Sequence, residues 1–135
     1  MRMVLALAAL ALMITATGCG KPSATVSGAV SFNGEPVAEG SISLLPADGK
    51  GSPAGADILK GRYTLSNVTP GEKIVQLTAP VVVGTTKDDY GGETKLVEDL
   101  MPVSWGRASR EKISVSAGST TQDFAIEGPD PRKKK

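Results

Sequence analysis

The sequence predicts an all-β protein, a seven-stranded β-sandwich behind a cleaved N-terminal signal peptide. Three observations carry that reading. Short segments alternate apolar and polar residues with period two, the pattern of a strand that turns one face to a core. Turn formers punctuate those segments, for the 135 residues include 16 glycines and 9 prolines. No amphipathic helix of convincing length follows residue 19, and the 117 residues from Cys19 onward are enough to bury roughly two thirds of their unfolded surface.

Composition removes whole classes of function. Without a histidine, imidazole acid–base catalysis, Ser-His-Asp triads and His-ligated metal sites are excluded. One cysteine makes neither an internal disulfide nor a thiolate zinc cluster. The formal charge of +1 hides an uneven distribution. Arg2, Arg132, Lys133, Lys134 and Lys135 account for 5 of the 15 basic residues, and the remaining 10 stand against 14 acidic ones. An acidic body with a short basic tail at 128–135 offers no nucleic-acid-binding face, and the terminal run is read as solvated.

Taken in order, residues 1–18 have the parts of an export signal. Arg2 supplies the positive start, and the apolar stretch 3–14 is too short for a helix crossing a hydrocarbon core of ~30 Å, which takes about 20 residues. The small residues Thr15, Ala16, Thr17 and Gly18 then lead to Cys19 and Gly20. That arrangement resembles the bacterial lipobox, in which a thioether-linked diacylglycerol is placed on the cysteine before cleavage just ahead of it. Ala16 stands where the pattern has leucine or another branched aliphatic residue. The alternative is an ordinary secreted protein in which Cys19 is incidental. With two or three acyl chains, each buried methylene contributing about 0.8 kcal/mol, attachment to the membrane would be stable. By analogy with lipoprotein sorting, Gly20 where an aspartate would retain the protein at the inner membrane favours the outer one.

Residues 19–24 read as a tether, and the domain is expected over 25–127. In its first strand Val26, Gly28, Val30 and Phe32 alternate with Thr25, Ser27, Ala29 and Ser31. Asn33-Gly34 readily takes positive φ at both central positions of a type I′ hairpin turn. Further strands are predicted at 41–45, 54–59 and 62–66, with Lys60-Gly61 as a turn and Tyr63 and Leu65 facing inward. Pro70-Gly71 marks another turn, and 73–79 follows as a strand with Ile74 and Leu77 as core candidates. Segments 113–117 and 122–127 are expected to form a final strand pair, with Phe124 and Ile126 on one face.

The runs 26–37, 40–46, 61–65 and 68–73 together resemble the carboxypeptidase regulatory-like domain, whose fold is a transthyretin-like (prealbumin-like) seven-stranded sandwich. With the signal and cysteine ahead of them, they resemble a group of small bacterial lipoproteins. Their C-terminal segment is similar to Met101-Pro102-Val103-Ser104-Trp105 followed by 113–127, with Trp105 where a tyrosine is more usual. The resemblance implies a non-catalytic envelope module without cofactor, which contacts an envelope protein or a cell-wall polymer. Fold alone assigns no chemistry.

In the segment 81–100, Val81-Val82-Val83 can continue a strand, and 84–100 is read as a solvated acidic insertion. Asp88, Asp89 and Glu93 around Gly91-Gly92 offer oxygen ligands, but not at the spacing of a calcium loop. Tyr90 and Trp105 are candidates for a glycan or peptide contact, although Trp105 is read first as a core plug near the sandwich end. The second functional reading is therefore a ligand-binding domain that uses 81–105. Ser109 and Lys112 match Ser-x-x-Lys, but the companion motifs of penicillin-binding enzymes are missing.

Overall fold

The computed structural model describes residues 20–133, so the signal segment 1–18, Cys19, Lys134 and Lys135 lie outside the described residues. The first strand, β1 (Ala24–Phe32), buries every second residue, as its alternation predicts. Asn33 and Gly34 have φ of 51° and 83°, which turns the chain tightly into β2 (Glu35–Pro36), and Phe32 faces Glu35 across that turn. The Asn33 side chain also fastens the far end of the chain. Its Nδ2 donates to the Gly128 carbonyl at 2.9 Å, and the Gly128 amide returns a bond to its Oδ1 at 3.0 Å.

Next come β3 (Glu39–Pro46), β4 (Ala54–Leu59), β5 (Arg62–Val68) and β6 (Gly71–Thr78). After β7 (Pro80–Lys87) and β8 (Glu93–Asp99) the chain closes with β9 (Lys112–Val115), β10 (Gly118–Thr121), β11 (Phe124–Ile126) and a 3₁₀ turn at Pro131–Lys133. The body has the strand order β10-β1-β5-β4-β3-β6-β9, with β11 continuing β10 beside β1. Between β4 and β5 the ladder holds only at the turn, where Leu59 faces Arg62. Beyond it the two strands diverge, β4 to β3 and β5 to β1, which folds the ribbon into two layers. Between the layers Val26, Ile42, Ile58, Leu65, Val75 and Leu77 are at most 1 % exposed. The chain is an all-β sandwich.

Two sequence expectations change. Ile74 is half-buried on the outer face of β6, while Lys73, Val75 and Leu77 face inward. Residues 74 and 77 are three apart and cannot share a strand face, so the phase of Val75 and Leu77 decides. The expected pairing of 113–117 with 122–127 also does not form. β9 pairs with β6 in one layer. At Gly118, with φ of 99°, the chain crosses to the other layer, where β10 and β11 run parallel to β1.

Between β10 and β11 the Gln122 amide donates to the Ser27 carbonyl, and Asp123 Oδ1 accepts from the Ala29 amide at 2.8 Å in place of a ladder bond. The Tyr63 hydroxyl donates to the Gln122 carbonyl. The crowding at this crossing requires a glycine in β1, since a β-carbon on Gly28 would overlap the Gln122 carbonyl. Phe124 and Ile126 are both buried, as predicted, as are Tyr63 and Leu65.

The strand directions give the domain two ends. At one lie Ala24, the loop 47–53 and the 69–71 connection, since Ala24 faces Val68 and Gly118, and Pro46 faces Lys73. At the other lie the turns at 33–34 and 60–61, where β6 also ends and the 80–99 segment begins.

Candidate functional site

Residues 80–99 form an antiparallel hairpin of β7 and β8, which includes the strand expected at 81–83 but replaces the solvated loop expected from 84 onward, with a register shift between Val82 and Gly84. β-Branched residues favour it. Val81, Val82, Val83, Thr85 and Thr86 face a strand that includes Thr94 and Val97. Among the described residues the two strands pair only with each other, and every residue of β8 is exposed. Val82, Leu96 and Val97 are each about half exposed, at 51 %, 45 % and 57 %. Among the described residues no further strand pairs with the ribbon, and Val82, Leu96 and Val97 present apolar side chains to solvent, a form of edge that templates pairing with another chain.

The root of the ribbon is held firmly. Asp99 Oδ1 accepts from the Ala79 and Met101 amides at 2.9 Å each, and the Leu100 amide donates to the Ala79 carbonyl at 2.8 Å. Leu100 and Met101 are buried on the core immediately after it.

The acidic candidates occupy the tip and the start of β8. Asp88 Oδ1 accepts from the Tyr90 amide at 3.0 Å and the Gly92 amide at 2.6 Å, so this carboxylate closes its own turn. Asp89 and Glu93 are exposed beside it. No group of three or more acidic or cysteine side chains among the described residues could hold a metal ion. Tyr90 is 98 % exposed at the tip and makes no contact with Trp105. Trp105 instead packs on the core, edge-on to Phe124 at 5.9 Å, and Phe124 in turn lies 6.0 Å from Tyr63. The Trp105 carbonyl also accepts from the Leu77 amide at 2.7 Å. The structure thus separates the two aromatic candidates, placing one in solvent and one against the sandwich wall.

Ser109 precedes β9 in a turn, its Oγ accepting from the Glu111 amide at 3.3 Å, and Lys112 opens a strand. A helix opening at Ser109, which the Ser-x-x-Lys chemistry requires, does not occur. Burial, and then the charge of Asp123, push the Tyr63 phenol above its ordinary range. Asp130 is held down to about 2 by its hydrogen bond from the Arg132 side chain. Among the described residues no helix is long and apolar enough to cross a membrane.

No family model matches the chain, and no curated protein does. Among solved structures it is similar to the major pilin subunit of Bacillus cereus, with a TM-score of 0.43 and 13 % identity. That alignment covers 78 % of this chain and 30 % of the pilin. A 9R-lipoxygenase from Cyanothece gives a TM-score of 0.36 at 13 % identity, covering 82 % of this chain and 17 % of the enzyme.

Sequence reasoning missed Lys73, an inward-facing lysine that is 4 % exposed. The available signal was the alternation Lys73-Val75-Leu77, which sets the inward phase of β6.

Proposed function

We propose that this protein is a lipid-anchored cell-envelope lipoprotein of the carboxypeptidase regulatory-like kind, held through Cys19, which acts without catalysis as an interaction module. Its contact element is the β7–β8 ribbon. The observation that carries the reading is the polarity of the domain. The chain from Cys19 enters the sandwich at Ala24, at the end opposite the root of the ribbon. A protein tethered at residue 19 would hold one end of the sandwich near the membrane and leave the ribbon accessible. The sequence supports the anchor through the apolar stretch 3–14, the small residues 15–18 and the position of the lone cysteine. Gly20 supports the outer membrane as the destination.

The ribbon's edge and its half-exposed valines fit an envelope protein that adds a strand to β8, with main-chain hydrogen bonds supplying much of the affinity. Photo-crosslinking from Tyr90 and Val97 positions in intact envelopes tests the contact. The reading expects a discrete protein adduct from Val97, lost when Val82 and Leu96 are both changed to lysine with the crosslinker kept at 97. Adducts only with cell-wall polymer, or none from either position, would refute the strand-addition contact. Cys19→Ser tests the anchor separately, since that variant should lose the acyl mass.

A further inference from the structure

At the tether end of the domain, a groove of about 470 Å³ lies between the loop 47–53 and the 69–71 connection, with Lys73 in its wall. Lys73 stands on the inward face of β6 and is 4 % exposed. Its Nζ donates to Thr69 Oγ1 at 2.7 Å, whereas an ammonium carries three donors. Among the described residues no carboxylate stands within ion-pair distance of it; the ion pair found is Arg132–Asp130. A buried ammonium without a counter-charge is costly, and proteins normally pair it. The two carboxylates along the groove do not do so. Asp48 Oδ1 accepts from the Lys50 amide in its own turn at 2.8 Å, and Glu72 lies on the outward phase of β6.

We propose that this groove binds an oxyanion, a phosphate or carboxylate group at one end of a larger molecule, with Lys73 as its counter-charge. The Thr69 hydroxyl accepts from Lys73 and keeps its own proton to donate to the ligand. Gly51 lines the groove on the side of that hydroxyl, where even a β-carbon on it would stand 3.9 Å from Thr69 Oγ1. Lys50 adds an exposed second cation to the wall. At about 470 Å³ and open to solvent, the groove has more room than a bare ion needs. If Cys19 is lipidated, the five residues from it to Ala24 reach at most about 18 Å when extended, so a phospholipid headgroup is one source of the anion and a soluble ligand the other. The choice of source rests on the lipid-anchored reading, whereas the site does not.

The test is an amide NMR titration of the Cys19→Ser protein at constant ionic strength, with sodium phosphate, sodium acetate and vesicles of phosphatidylethanolamine and phosphatidylglycerol. Saturable shifts at Gly51, Thr69 and Gly71 are expected with at least one oxyanion and not with chloride. Lys73→Met should keep the fold, weaken binding at least tenfold and melt no lower than the parent without anion, because an unpaired buried charge has been removed. Thr69→Val should weaken binding with the fold retained. Shifts matched by chloride, shifts that persist in Lys73→Met, or a Lys73→Met protein that melts lower would overturn the site. Response to vesicles assigns the headgroup as source, and response to phosphate or acetate alone assigns a soluble ligand. Failure of the anchor would show independently in the N-terminal mass.

Discussion

Tyr63 couples the sandwich wall to pH. Its phenol is 3 % exposed, donates to the Gln122 carbonyl and ionises well above its ordinary value of 10.0 because of burial and then the Asp123 charge. Since the folded pKa is raised, the stabilisation from this group is complete below pH 10 and falls as pH rises beyond it, by about 1.4 kcal/mol per pH unit. Urea denaturation between about pH 8 and 12 should show that slope, and Tyr63→Phe should reduce it while costing about 1 kcal/mol at neutral pH. At Gly28 the obstacle is backbone, which cannot move aside cheaply, so Gly28→Ala should lose about 1–3 kcal/mol in the same assay. Asp130 reports on the tail. Arg132 bonds it through the main-chain amide, Nε and Nη2 at 2.9, 2.9 and 2.7 Å. Its depressed pKa means that this contact is complete above about pH 4 and is lost as pH falls through about 2, which a carboxyl NMR titration reads directly.

Among the elements, the β7–β8 ribbon should be separable from the sandwich. Replacing residues 82–97 by a short Gly-Ser linker removes no buried side chain and should move the melting temperature by less than about 5 °C. Asp99→Ala should do more, costing about 1–3 kcal/mol, because two backbone amides lose their acceptor. The same elements mark what was legible in the sequence. β1 and its turn were readable because alternation and Asn33-Gly34 are local signals, and both appear as expected. Of the ribbon only 81–83 was readable as strand, because in β8 charged residues outnumber the adjacent Leu96 and Val97 and no period-two pattern forms. The final crossover was hidden for a different reason. Its partners lie 94 residues apart, as in the Ala29–Asp123 bond, and no local pattern encodes a parallel pairing of that range. Of the candidate site, Tyr90 and the acids lie exposed, and Trp105 takes the core position expected of it, beside Phe124. Lys73 was obscured because a lysine at the start of a strand reads as solvent-facing until the phase of Val75 and Leu77 is applied.

For the whole molecule, the two ends of the sandwich have different character. One receives the chain from residue 19 and carries the Lys73 groove, and the other carries the ribbon with its exposed strand edge. The proposed anchor gives that polarity a direction relative to the membrane. Mass spectrometry of the N-terminal peptide from protein isolated from cell envelopes tests this claim most directly. The account predicts a mature chain that begins at Cys19 and carries diacylglycerol on its sulfur. A mature chain that begins elsewhere, or at Cys19 with a free thiol, would contradict it.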